Sequence, residues 1–532
     1  MRRAAASALL RAVRAAGALR ESRCVVAGAL LCAVACRTTP ALPPAGTMVV
    51  ALESAPAVLD PRYTTDANSS LVGALVTSGL TATDARGEAV PDLAVAWREI
   101  SPREYLFALR PDVRFHDGTP VTSADVAATY RSTLDPAQHS PKGEPLAMIE
   151  RIDTPDSETV VFHLREIFAP FLETTNLGIL PARLTATGPV PRLEVVGAGP
   201  FRVARVDGDG GVDLEAHGGY VGGAPRIERL RFRVVPDGVV RALELASGTV
   251  HLVENALDPD VLPWLARQPG LELVISPGTT FQYLGMNFRD PRLADRRVRQ
   301  ALAHALDRTA VVHHVLHDTA RPATGLLPPS HWAYEGEITR YAYDPTRAAA
   351  LFDASGLGLE AAPDLRRFSY KTSTVELRRR IAEVFQGDLM TIGLSLHIRS
   401  YEWATLYEDI RHGNFQLYAL AWVGVTDPDV YFRIFHSAMR PPAGNNRGEY
   451  ANAAMDTLLE EARRTVDRTA RRRLYAEVQR LAADDLPVVP LWWTDNVVVK
   501  SRALTGFTPA PDGDLRSLAT ARFDGVPAPA VR

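Results

Sequence analysis

The sequence predicts an α/β protein built as two lobes, and three observations predict it. Roughly 500 of the 532 residues follow an N-terminal leader, too long a chain for one hydrophobic core and a natural length for two large ones. From Val49 onward short strands and helices alternate. In the second half, Tyr343-Asp344-Pro345 opens a helix through Leu351 that Gly356 closes. Leu377, Ile381, Val384, Phe385 and Met390 then recur at helical spacing until Gly393. Leu394, Leu396 and Ile398 alternate as a strand, and Phe415 to Trp422 reads as another, which is the order of α/β construction.

The chain opens with six arginines between Arg2 and Arg23, followed by the apolar run CVVAGALLCAVA from Cys24 to Ala35. A basic region, an apolar region and small residues before a cleavage point predict a secretory signal over residues 1–35. The run is shorter than the roughly 20 residues that span a membrane. All three cysteines, Cys24, Cys32 and Cys36, lie here, and Ala33-Val34-Ala35-Cys36 is similar to a lipobox. Lipidation of Cys36 is therefore expected, with plain cleavage after the A-x-A pattern as the alternative. Residues 36–46 read as a flexible tether and 521–532 as a disordered tail. The leader carries six Arg and one Glu, so the whole-chain charge of -3 becomes about -8 for the remainder, which argues against a nucleic-acid ligand. Lysine is rare, three against 56 arginines.

The most informative stretch is Tyr105 to Val126. Tyr105, Phe107 and Leu109 alternate on one face of a strand, Pro111 breaks it, and Val113 and Phe115 alternate on an expected return. Asp117-Gly118 supplies a turn, and Thr122 with Asp125 forms the pattern of a capping box. The string FHDGTPVTSADV resembles the signature of the bacterial family 5 extracellular solute-binding proteins, the peptide-binding components of ABC importers. Other segments are similar to that family: Leu59-Asp60-Pro61, Ser78-Gly79-Leu80 with Ser78 in place of Glu, and Pro91, Leu93, Ala94 and Trp97. The similarity continues through Gly197-Ala198-Gly199-Pro200-Phe201, Ser247 to His251 (with His251 a departure), and the run from Gly285 and Asn287 to Asp307.

The resemblance implies a two-lobed periplasmic-binding-protein-like fold, of the cluster with an enlarged, discontinuous lobe I, and a ligand cleft between the lobes. Because Leu486 to Leu491 is similar to the segment that crosses back in relatives, lobe I is expected over 47–277 plus 486–520, and lobe II over 278–485. The implied function is an extracytoplasmic, lipid-anchored monomer that closes on a peptide and delivers it to an ABC permease. The alternative is a non-peptide solute such as a nickel chelate, opine, haem or oligosaccharide. A secreted lipoprotein hydrolase is the rival class, but the sequence has no G-x-S-x-G, H-E-x-x-H, Walker or dinucleotide motif, and nothing calls for a cofactor. His313 and His317 stand four apart on an expected helix, a spacing that suits a metal, with a solvated helix end as the plainer account.

Trp403 and Trp422, 19 residues apart, match two tryptophans that line the ligand pocket in relatives. The resemblance adds Tyr283 and Asn287 to the expected ligand-binding set. Peptide-binding relatives often read W-x-x-D after this strand, with the Asp on the ligand ammonium. Here Val425 occupies that position, so Asp427 or Asp429 is expected to take over the amine, unless the ligand has none there.

Overall fold

The computed structural model describes residues 46–84 and 86–525. Signal, Cys36 and nearly all of the tether lie outside the described residues, as do residues 526–532. No helix among the described residues is long and apolar enough to cross a membrane.

An 11-stranded mixed sheet organises the chain. From one edge it runs Ser395–Tyr401, Arg367–Ser373, Leu417–Trp422, Leu271–Met286 and Val488–Ser501. It continues through Leu252–Glu254, Thr47–Leu52, Arg229–Val234 and Val212–Ala216 to Phe201–Val206, with Ala320–Pro322 paired beside Val488–Ser501. The first strand, TMVVAL, is buried at every position, Met48, Val50 and Leu52 in one apolar cluster and Val49 and Ala51 in another. It is parallel to both neighbours, and a parallel strand covered on both faces needs this unbroken apolar run.

Two strands of unusual length hold the middle. Leu271–Met286 and Val488–Ser501 pair antiparallel from Leu271↔Ser501 to Gly285↔Val488, with irregularities between Ser276 and Thr280 and between Gln282 and Tyr283. Towards the Met286 and Val488 ends these strands join the cores around Phe385 and Tyr475, and towards the Leu271 and Ser501 ends those around Phe232 and Val253. After Val488–Ser501 the chain stays on the Phe232 side, where Leu504, Phe507, Leu515, Leu518 and Ala521 pack beside Met48 and Val50.

A separate four-stranded antiparallel sheet comprises Ala94–Ser101, Glu104–Leu109, Thr159–Leu164 and Ile149–Asp153, backed by the helix Ser123–Leu134. Tyr105, Phe107 and Leu109 face its core as expected, and the Thr122–Asp125 capping box forms. The expected return strand does not. Residues 113–121 form a tight loop held by an isolated Arg114↔Pro120 bridge, and Glu104–Leu109 pairs instead with Ala94–Ser101 and Thr159–Leu164. Pro111 and Pro120 lack the N–H groups a ladder requires. The end of the chain also departs from expectation: Ala521 is fully buried and Arg522–Phe523 pairs with Leu504–Thr505, so order extends past 520.

Candidate functional site

The family-like motifs brace the region around a cleft. His116 donates its backbone N–H to Gly197 O at 2.9 Å, and its Nε2 lies 3.1 Å from Gly199 O. Burial pushes the His116 imidazole down to about 4, so the ring is neutral and Nε2–H is the donor. Gly197 and Gly199 press on the end of the helix Ala67–Val76: a Cβ on Gly197 would stand 2.1 Å from Val76 O. Only glycine fits that approach. Asp60 and Arg62, both fully buried, form an ion pair at 2.7 Å, and Arg62 also donates to the carbonyls of Leu184, Thr185, Thr187 and Gly188.

Between these segments and residues 427–463 lies a cavity of about 390 Å³. One wall comes from the helix Ala67–Val76 and the turn after it (Gly73, Thr77, Gly79), from Lys142 to Leu146, and from Phe168 to Gly178. Asp427, Asp429, Arg433 and Arg463 form the facing wall. The walls touch at the rim. Arg468 donates to Glu88 at 2.6 Å, Arg433 lies 3.6 Å from Glu144, and the Arg463 guanidinium sits 5.2 Å from the centre of the Phe168 ring. Gly87 approaches Thr426 so closely that a Cβ there would stand 2.6 Å from its carbonyl oxygen.

Asp427 and Asp429 therefore reach the cleft, but each is already engaged. Arg471 grips Asp427 through two bonds of 2.9 and 3.1 Å, and Arg463 grips Asp429 through two of 2.8 Å. Burial raises the Asp429 pKa, and Arg463 works against that rise. Two other cleft residues, which the sequence reading did not single out, are less well matched. Burial and the facing Asp427 raise the Glu173 carboxyl to about 8, while burial and nearby Arg433 lower the Lys142 ammonium. Among the described residues neither side chain has a hydrogen-bonding or ion-pair partner.

The aromatic residues expected at the ligand form a second group that does not line this cavity. Tyr283 is 2% exposed, stacks on Trp422 at 6.2 Å and 8°, and accepts a 3.0 Å bond from Arg447. The Arg447 guanidinium lies 4.8 Å from the Trp422 ring and 5.4 Å from that of Tyr407, which stacks with Trp403 at 5.5 Å. Trp422 is half-buried, whereas Trp403 is exposed. Arg447 is the hub of this group, and nothing in its local sequence marks it. Val425 is buried in the core around Tyr475. Asn287 is not brought to either group: its amide nitrogen donates to Gly413 O and Phe415 O, and its oxygen accepts from Arg289 N–H.

The two histidines do not share a helix. The helix Arg308–His314 ends before His317, which has φ of 49°. His313 contacts Asp318 and His317 contacts Asp260, and no group of three metal-ligating side chains occurs among the described residues.

Comparison with known proteins agrees with this architecture. The solved structure of AppA from Bacillus subtilis in complex with a nonapeptide superposes with a TM-score of 0.78 at 25% identity, covering 90% of this chain and 98% of that one. That of NikZ from Campylobacter jejuni in complex with Ni(L-His) gives 0.80 at 23%, covering 90% and 100%. Both support the two-lobed binding-protein fold. Di/tripeptide-binding protein 2 of Pseudomonas aeruginosa is 30% identical over 84% of this chain and 89% of its own length. The dipeptide-binding protein of Escherichia coli is 27% identical over 76% and 80%. The model of the bacterial extracellular solute-binding proteins, family 5 (Middle), matches residues 88–440, about two-thirds of the sequence, and to that extracytoplasmic family this chain belongs.

Proposed function

We propose that this protein captures short peptides by closing two lobes around them and presents the closed form to an ABC permease. One observation carries the reading. The 390 Å³ cleft is walled on one side by residues 61–178 and on the other by residues 427–463, so a ligand held there ties together segments that separate when the cleft opens. The relatives named for di- and tripeptides favour peptide over the other solutes bound on this fold. The relatives are binding proteins, which accords with capture rather than turnover.

The lobes are assigned as 47–277 plus 486–520, and 278–485. Support comes from the long paired strands Leu271–Met286 and Val488–Ser501, at which the chain passes from one group of cores to the other and back. Trp403 and Trp422 are assigned to contact with a ligand side chain, with the buried Tyr283 backing the Trp422 ring. The protein works as a monomer held at the membrane through a lipid on Cys36, with the permease subunits as its partners. Native mass spectrometry of protein purified from its host tests the reading. Peptide masses that dissociate on unfolding support it, and a metal chelate, haem or sugar in their place overturns it.

A further inference from the structure

Among the described residues eight charged side chains line the cleft: Lys142, Glu144, Glu173, Asp427, Asp429, Arg433, Arg463 and Arg516. Six of them are held in ion pairs within the protein. Glu144 faces Arg433, Asp427 is held by Arg471, Asp429 by Arg463, and Arg516 by Asp514. The remaining two are Glu173 and Lys142, one of each sign, both on the wall formed by residues 61–178. The other two lysines of the chain, Lys371 and Lys500, are paired with Asp409 and Glu272. A half-buried ionisable group without an ion-pair partner is pushed towards its neutral form, as the raised Glu173 carboxyl and the lowered Lys142 ammonium show, and a ligand that supplies the missing partner favours the charged form again.

We infer that Glu173 receives the α-ammonium and Lys142 the carboxylate of a short zwitterionic peptide, which rests on the peptide reading above. A zwitterion is the ligand class that satisfies both groups without adding net charge to the cleft. The cavity of about 390 Å³ is near the lower end of the roughly 300–1,000 Å³ typical of ligand sites, which favours two or three residues over a long chain. The position held by Val425 is then not needed for the amine. The charged groups around Glu173 are Asp427 and Asp84, which raise its pKa, and Arg471 and Arg468, which lower it. With the carboxyl held near 8, Glu173 is protonated at pH 6.5 in the empty cleft, and capture of an ammonium releases that proton to the buffer.

The test is calorimetric titration with trialanine, N-acetyl-trialanine and trialanine amide, on wild type, Glu173→Gln and Lys142→Met. Wild type is expected to bind trialanine about 10- to 100-fold more tightly than either blocked peptide. Glu173→Gln abolishes the preference over the acetylated peptide and the proton release at pH 6.5, and Lys142→Met abolishes the preference over the amide. Equal wild-type affinity for trialanine and its acetylated twin overturns the inference while leaving peptide capture intact, and so does a Glu173→Gln protein that keeps the preference. Failure of folded wild type to bind any of the three overturns the peptide reading and this inference with it. Where a variant does not fold, binding of trialanine to wild type at pH 6.5 without proton release overturns the assignment to Glu173.

Discussion

Asp427 and Arg471 face each other across a two-pronged ion pair of 2.9 and 3.1 Å, with side chains only 11% and 8% exposed. The carboxylate that stands nearest to the absent W-x-x-D aspartate is thus already neutralised from within the chain. Removing it strands a buried guanidinium. Asp427→Asn is therefore expected to lower the unfolding free energy by about 3–5 kcal/mol. Urea denaturation checks this, and a double variant with Arg471→Met should recover much of the loss. An Asp427→Asn protein of unchanged stability but lost peptide affinity would instead make Asp427 the amine site.

Trp422 and Trp403 should separate in their effects. Trp422 is half-buried between Tyr283 and Arg447, so Trp422→Ala is expected to cost about 2–4 kcal/mol of stability. Trp403, 57% exposed, touches Tyr407, and Trp403→Ala should shift stability by less than about 1 kcal/mol. A tenfold or greater loss of peptide affinity in Trp403→Ala, beside a nearly unchanged melting curve, places it at the ligand; unchanged affinity removes it.

His251 predicts an acid sensitivity. Its Nδ1 accepts the Val49 N–H at 2.9 Å in the sheet core, and burial pushes its pKa down to about 4. The folded pKa lies below the unfolded value, so the stabilisation is complete above about pH 6.5 and is lost as pH falls through 4. Unfolding at pH 5 should take up about one proton fewer in His251→Asn than in wild type, measured as the slope of urea-derived stability against pH. Equal slopes would show that His251 is not held neutral.

Lipidation at Cys36 is read by labelling. Radiolabelled palmitate should enter wild type and not Cys36→Ser, and equal incorporation would exclude the anchor.

How far the sequence could be read depended on distance along the chain. The capping box at Thr122 and Asp125, the buried alternation of Tyr105, Phe107 and Leu109, and the helix start at Asp344 rest on neighbours within a few residues. The return expected at Val113 and Phe115 does not form, and alternation alone does not reveal the lack of donors at Pro111 and Pro120. At the cleft, the acidic pair after Trp422 was visible, but its partners Arg463 and Arg471 lie 34 and 44 residues from Asp429 and Asp427. Glu173 and Lys142 look like ordinary surface charges until the fold encloses them. Arg447 meets Tyr283, 164 residues away, and no local pattern announces such a meeting.

The pairing of Leu271–Met286 with Val488–Ser501 also sets a schedule. The central sheet cannot be completed until more than 200 further residues have emerged, because Leu252–Glu254 and Leu271–Met286 both await the same late strand. Closure of so distant a pairing is slow, and a chain lacking its last tenth leaves two strand edges open. For a protein that works outside the cytoplasm this delay is useful. A polypeptide threaded through a narrow channel has to be unfolded while it passes. Here the last long strand is also the one that completes the sheet, so the chain stays open at two strand edges until nearly all of it is present.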